Sequence, residues 1–430
     1  MLTLSKGIGI EGTFEKNPAN FVVKEIAKNG TVLQQGMMYS AGELELAENP
    51  DGKFVVFVLQ KSNWNTIQAL ETVSRRAGHG IRAIGYAGIK DRRALTVQIA
   101  SIFGASPEGI MGMRIKDISI NGAWLSGIGV EQGSLLGNAF DVTISTNNSD
   151  AKEKADSIYA ELNGLIPNYF DRQRFGSRLN NAAIGLHIMK GDFRSAVMEF
   201  LTSCKNETNS SAIEARKRLD EEHDFANAMG YFPGYLKYER RLIAHLAKYP
   251  DNFANAIRKL PRGISIMFVN AVEDVIFNAV VEERVMNGDT GANAGLACRE
   301  NFYGFPDMES MVLHADDAVQ GKRLFAIGNL IGYESNDEEI SESEREVMER
   351  LGITKDSFKI AGMPELSMRG SRRPLFVPVK DFSAANASSS IRISFSLPTG
   401  AYATIVLNEL MKTDRLGVGE LMPDLKAGEQ

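Results

Sequence analysis

Residues 85–98 read GYAGIKDRRALTVQ and place one carboxylate, Asp91, between Lys90 and the pair Arg92-Arg93. Gly85 and Gly88 make this corner easy to bend. On either side, segments 81–90 and 94–103 read as two short strands, with the charged corner between them. Flanking cations favour a charged carboxylate. An ionised, oriented carboxylate can attack a sugar or base carbon as a covalent nucleophile. The same residues equally describe a turn Asp in a surface salt bridge, and physics alone does not choose.

Working outward, segments 21–26 and 53–59 look like strands, the second with an apolar centre. Ser62-Asn63 offers an N-cap before Trp64, Ile67, Leu70 and Val73, a helical stripe ending at Gly78, with Trp64 expected in the core. Segment 138–144 is another strand and 151–162 a helix. The middle then changes character, with helices expected over 194–201, 211–229, 240–248 and 269–287. Segment 321–333 is Gly-rich and strand-like, and 334–350 reads as a solvated acidic helix. Strand pattern returns at 389–395, before a turn feeding a helix from about Ala401. The pattern predicts an α+β fold in which a helical insertion interrupts the catalytic domain.

The chain has 430 residues, 43% of them hydrophobic and 24% charged, the composition of a soluble globular protein. Its longest apolar run, 54–59, is far short of the ~20 residues of a spanning helix. No membrane contact is expected. The N-terminal MLTLSKGIGI shows no signal-peptide pattern, and two isolated cysteines, Cys204 and Cys298, suit a reducing cytoplasm. The net charge of −6 argues against a nucleic-acid partner only until it is located. Segment 334–350 holds eight acids and two Arg and carries the whole imbalance, whereas 72–93 has a net charge of +5. Further basic clusters occur at Arg172, Arg174 and Arg178 and at Arg369, Arg372 and Arg373. Each could be a solvated face, or the three could converge on one groove.

The five histidines lack metal-ligand spacing, and no phosphate-binding or dinucleotide-binding glycine motif occurs, so neither metal nor cofactor is expected. Two other stretches can carry chemistry. Asn168-Tyr169-Phe170-Asp171-Arg172-Gln173-Arg174-Phe175-Gly176 interleaves aromatics that can stack on a base, amides that can read its edge, and Arg that can hold phosphate. It also fits an amphipathic strand–turn with core aromatics. Leu397-Pro398-Thr399-Gly400-Ala401-Tyr402-Ala403-Thr404 gives a tight turn presenting Tyr402 at a helix start, or simply a strand-to-helix connection.

Together these stretches resemble the TruD-type tRNA pseudouridine synthases. The family's A/G-G-x-K-D-[RK]-x-A-x-T-x-Q signature is met by residues 87–98 at every fixed position. G-N-x-F is met by 137–140, N-Y-F-G-x-Q-R-F-G by 168–176 with Asp171 in place of Gly, and L-P-x-G-x-[YF]-A-T by 397–404. An early P-x-x-F-x-V-x-E element is met by Pro18, Phe21, Val23 and Glu25. The resemblance spans 16–409, nearly the whole chain. Two further departures are Glu15 where the family has an early Lys, with Lys16 one residue closer, and Asn408-Glu409 where it often has Arg-Glu.

The resemblance implies a pseudouridine-synthase fold, a mixed and largely antiparallel sheet flanked by helices. Catalytic parts at 1–188 and 372–430 would enclose an insertion at 189–371. It implies an isomerase, an intramolecular transferase converting uridine to pseudouridine without cofactor or metal, with tRNA position 13 as the usual target. Asp91 falls on the catalytic aspartate and Phe21, Asn168 and Tyr402 on positions lining the uridine site. Phe170 falls beside the flipped base. Lys16, Lys90, Arg92 and Arg174 are the expected RNA contacts. The chain is expected to act on tRNA as a cytoplasmic monomer, with segment 334–350 facing away from bound RNA. Two other classes compete: an RNA-binding protein without activity, which has little use for a carboxylate facing phosphates, and a glycoside hydrolase, which needs a second carboxylate that no motif supplies.

Overall fold

The computed structural model describes residues 1–292, 295–312, 323–413 and 417–422. The chain first lays down β1 (Phe21–Ile26), β2 (Phe54–Ser62), β3 (Ile84–Tyr86), β4 (Leu95–Phe103), β5 (Ile118–Ser126) and β6 (Gly137–Ser145). After β7 (Leu165–Pro167) comes a helical stretch from Asn181–Met189 to Arg262–Met286. Four strands follow, β8 (Ala297–Glu300), β9 (Pro306–Val312), β10 (Leu324–Leu330) and β11 (Ser371–Pro374). The chain then returns through β12 (Phe376–Pro378) to β13 (Lys380–Ala387) and β14 (Ser390–Pro398).

The main sheet has the order β13-β14-β6-β1-β4-β2-β5, with β3 paired to β4. The β1–β4 pair is parallel; its other pairs are antiparallel. This is the α+β architecture expected, a mixed and largely antiparallel sheet flanked by helices. The final strand therefore lies beside β6, and β1 sits between β6 and β4. β6 thus joins the first strand to the last within one sheet.

Alternation along β2 and β4 divides the core, because successive side chains point to opposite faces. Val56, Val58, Val97 and Ile99 bury themselves on one face with Leu33 and Trp124. Val55, Phe57, Leu59, Ala100 and Ile102 pack on the other against Ala69, Leu70 and Val73 of helix Thr66–Arg76. Each face needs its own cover, which the helix supplies on one side.

Helix Arg262–Met286 is long and apolar enough to cross a membrane, yet 72% of its most apolar window is buried inside the protein. It is a core helix. It packs tightly against Asn181–Met189, where a Cβ at Gly185 would lie 2.0 Å from the Phe268 carbonyl oxygen. Only glycine lets the two backbones meet there.

Several expected boundaries shift for identifiable reasons. The first helix is capped by Asn65, whose side chain accepts from the Ile67 and Gln68 amides. Trp64 therefore stays outside that helix, half-buried, its indole N–H donating to the Lys116 carbonyl. Only Ile84–Tyr86 of segment 81–90 is strand, since Ile81–Ala83 forms a 3-10 turn. Segment 211–229 breaks into Ser210–Glu222 and Phe225–Tyr231, because His223 adopts φ 51° and Asp224 caps the second helix. In 321–333 the strand is Leu324–Leu330; residues 321 and 322 lie outside the described residues, as does His314. The acidic segment is helical only over Glu342–Leu351, opened by a Ser341–Glu344 capping box. Its Glu344 is buried and accepts from the Asn329 amide and side chain. The middle region also carries its own sheet, β11-β10-β8-β9, which helical periodicity did not reveal.

Candidate active site

Asp91 occupies the corner between β3 and β4, and the motif around it is pinned from several directions. Gly88 accepts from Gln98 Nε2 at 3.1 Å, and the Lys90 amide donates to Thr66 Oγ1 at 3.0 Å. The Thr66 hydroxyl in turn donates to the Lys90 carbonyl at 3.1 Å, and the Gly133 amide to the Ala87 carbonyl at 2.8 Å. The Gln of the signature thus acts as a brace for the corner.

Three lysines surround the aspartate and do different things. Lys16 Nζ lies 2.6 Å from Asp91 Oδ1. Lys61 Nζ, fully buried on β2, donates to the Asp91 carbonyl at 2.9 Å. Burial pushes the Lys61 ammonium down to about 8, with Asp91 opposing and Lys90 adding to that fall. Lys90 turns the other way. Its Nζ meets Glu25 Oε2 of β1 at 2.9 Å, both side chains being buried, while Glu25 Oε1 accepts from the Ile99 amide. This corrects the expected RNA contact at Lys90, because phosphate cannot reach an ammonium enclosed in the sheet. Arg92 and Arg93 are exposed on the same loop.

Phe21 forms the floor beside Lys16, whose Nζ stands 4.8 Å from the ring centroid. It is part of an aromatic row, edge-on to Phe14 at 5.8 Å and stacked on Phe140 at 6.0 Å, which stacks on Phe395 at 5.3 Å. Phe21 is almost fully buried, with Lys16 standing over its ring.

The second half of the site gathers around Phe170. Its backbone is clamped by Asn278, which accepts from the Phe170 amide at 2.8 Å and donates to its carbonyl at 3.0 Å. The ring is flanked by guanidinium groups of Arg373 at 4.2 Å and Arg174 at 5.3 Å, with Tyr402 edge-on at 6.5 Å. Arg174, its side chain 32% exposed, pairs with buried Asp274 at 2.8 Å. Burial works against the Arg174 charge, but the bonded Asp274 raises its pKa overall. Asp274 itself is pushed up to about 6 by burial, against the pull of Arg174. Burial also raises the Tyr402 hydroxyl, opposed by Arg174 and Arg373.

Asn168 is likewise engaged within the fold. Its Nδ2 donates to the Pro374 carbonyl at 2.8 Å and its Oδ1 accepts from Arg373 at 2.7 Å. The same Arg373 nitrogen donates to the Gly400 carbonyl at 2.9 Å. One arginine therefore joins the N-Y-F and L-P-x-G stretches, and burial lowers its pKa to about 10. Gly176 closes the first stretch at φ 79°, where a Cβ would meet Asn181 Oδ1 at 2.7 Å. Asp171 caps the turn by accepting from the Arg172 amide at 2.7 Å.

Sequence reasoning missed Lys61 and Arg373. A lysine two residues past the apolar run, still on β2, was a readable signal for the first. The second belonged to a basic cluster already noted, but only the fold separates its members. Arg369 pairs with Glu334 at 3.8 Å and Arg372 with Glu339, so the acidic segment neutralises its own neighbours and leaves Arg373 in the site.

A groove of about 790 Å³ is lined by Phe14, Asp171, Arg172, Thr404 and Asn408 among others. Phe14 packs on Phe21, Asp171 follows Phe170, and Thr404 lies just beyond Tyr402. Among the described residues no group of three or more His, Cys, Asp or Glu is placed to hold a metal ion. A carboxylate on a braced corner with a cation on it, and an aromatic–arginine cluster around Phe170, make up the candidate site.

Comparison with known proteins supplies the class. The family model described as tRNA pseudouridine synthase D (TruD) matches residues 2–410. A protein of Methanopyrus kandleri named "probable tRNA pseudouridine synthase D" is 33% identical over 366 residues, 84% of this chain and 86% of its own. One of the same name from Methanococcoides burtonii is 30% identical over 396 residues, 86% and 90% of the two chains. The crystal structure of a Methanosarcina mazei protein named "putative tRNA pseudouridine synthase D (TruD)" superposes with a TM-score of 0.74 and 29% identity, covering 96% of both chains. The chain belongs to the tRNA pseudouridine synthase D (TruD) family.

Proposed function

We propose that this enzyme isomerises uridine at tRNA position 13, with Asp91 as the nucleophile and the base flipped out of its stack. The observation that carries this reading is the Asp91 carboxylate on a braced corner, paired at 2.6 Å with Lys16, which stands over the Phe21 ring. Isomerisation breaks the bond from C1′ to N1 and joins C1′ to C5. C5 loses a proton and N1 gains one, so no outside oxidant, reductant or group donor enters. The protein's share is to hold the base while it turns and to stabilise charge.

In this reading Phe170 and Tyr402 contact the extruded base, with Phe21 closing the floor. Asn168 acts through Arg373, which it holds over the Phe170 ring. Lys16 orients Asp91 and, with Arg92, faces the RNA backbone. Arg174 supports Phe170 from behind. Residues 189–371 form the insertion, and its acidic segment, tied to Arg369 and Arg372, turns away from the RNA. The working unit is a cytoplasmic monomer with tRNA as partner and no membrane contact.

Asp91→Asn tests the mechanism. It is expected to abolish pseudouridine formation on tRNA while tRNA binding persists. An active Asp91→Asn enzyme would end the nucleophile assignment.

A further inference from the structure

The corner that carries Asp91 also displays an apolar side chain that the chemistry above leaves without a task. Ile89 is 66% exposed, whereas its neighbours Ala87 and Lys90 are buried. Isolated exposed apolar residues are common and need no explanation by themselves. The setting of Ile89 is different. The backbone on both sides is fixed, by Gln98 at Gly88 and by Thr66 at Lys90, and the Asp91 carbonyl is held by Lys61. A β-branched side chain on such a backbone has little rotational freedom. It is therefore presented rigidly, two residues before the carboxylate, beside exposed Arg92 and Arg93.

Ile89 shares one short loop with Asp91 and the exposed Arg92 and Arg93, so a strand that brings a nucleotide to Asp91 comes alongside it. Apolar side chains, isoleucine among them, can enter a base step and hold it open, offsetting part of the unstacking cost. We propose that Ile89 is a wedge that fills the stack next to the target uridine once that base has turned out. The inference rests on the base-flipping reading above and adds a residue to it. Ile89 is a positioning residue, since it contacts the neighbouring stack and not the reacting atoms.

The test uses full-length enzyme and tRNA carrying 2-aminopurine beside the target uridine. Wild type is expected to form pseudouridine and to raise the fluorescence of the probe on binding, as its stacking is lost. Ile89→Ala is expected to slow single-turnover conversion at saturating enzyme by about tenfold and to lose the fluorescence rise. Its thermal unfolding should match wild type, and Ile89→Met, of similar length and polarity, should restore both signals. Ile89→Ala converting tRNA as fast as wild type would overturn the wedge. So would a rate loss with the fluorescence rise intact, or an active wild type that leaves the probe stacked. A wild-type enzyme that forms no pseudouridine would instead defeat the functional reading beneath it.

Discussion

The Lys16 ammonium lies 2.6 Å from Asp91 Oδ1 and 4.8 Å from the centre of the Phe21 ring, so one cation joins the carboxylate to the aromatic floor. Both side chains of the pair remain partly exposed, at 24% and 35%. The contact therefore fixes direction more than it stabilises the fold.

Removing that cation should disturb the chemistry and spare the structure. Lys16→Met is expected to lower the rate at saturating tRNA by about tenfold to a hundredfold, the scale of a misplaced reacting group. KM for tRNA should change less than kcat. Single-turnover assays with thermal melts alongside decide it, and a variant with normal kcat removes Lys16 from the orienting role.

Lys90 should behave in the opposite way. Removing one partner of a buried ion pair leaves the other charge unpaired, at a cost of about 3–5 kcal/mol. Lys90→Ala is expected to lose stability on that scale in denaturant unfolding, and Glu25→Ala likewise. Neither should change how tRNA affinity falls with salt beyond what partial unfolding causes. A smaller salt slope for a fully folded Lys90→Ala would return this lysine to the RNA contacts.

Arg373 is the joint between two distant stretches, and its geometry needs a planar fork. It donates to Asn168 and Gly400 while lying on the Phe170 ring. Lysine reproduces the charge without the fork or the stacking. Arg373→Lys should therefore cost activity about as much as Arg373→Met, roughly tenfold or more, on the scale of a misplaced site. Steady-state kinetics on the two variants show whether charge or shape matters.

Glu273, adjacent to the Asp274 that pairs with Arg174, provides a pH test. Burial raises its pKa to about 8, with Asp274 adding to the rise and Arg174 opposing it. A carboxyl with a raised folded pKa leaves stability intact below its unfolded pKa of about 4.5, and lowers it as pH climbs through the folded value. Glu273→Gln mimics the neutral form. It should match wild type near pH 4 and exceed it by several kcal/mol near pH 9, the gap opening between about pH 4.5 and 8. Urea unfolding across that range measures it, and a constant difference would show that Glu273 does not titrate there.

Much of the fold was legible because its signals are local. The apolar run of β2, apolar stripes in the helices and the turn at residues 397–400 each depend on a few neighbours. The splitting of 211–229 was missed because no glycine or proline marks it; His223 adopts a left-handed conformation and Asp224 restarts the helix. The small sheet of β8 to β11 was missed because short strands owe their pairing to partners elsewhere in the chain.

The sequence by itself determined the family, the α+β class and the single carboxylate at Asp91, since these rest on residue identity and spacing. It could not say which cations face outward. Lys16, Lys61 and Lys90 are the same side chain, yet one orients the Asp91 carboxylate, one holds its carbonyl and one is locked on Glu25. Arg369, Arg372 and Arg373 sit within five residues, and only the last enters the site. A charge's role depends on its nearest opposite charge and on how far water is excluded around it. Both are set by contacts between residues tens to hundreds of positions apart, and those exist only after the chain has folded.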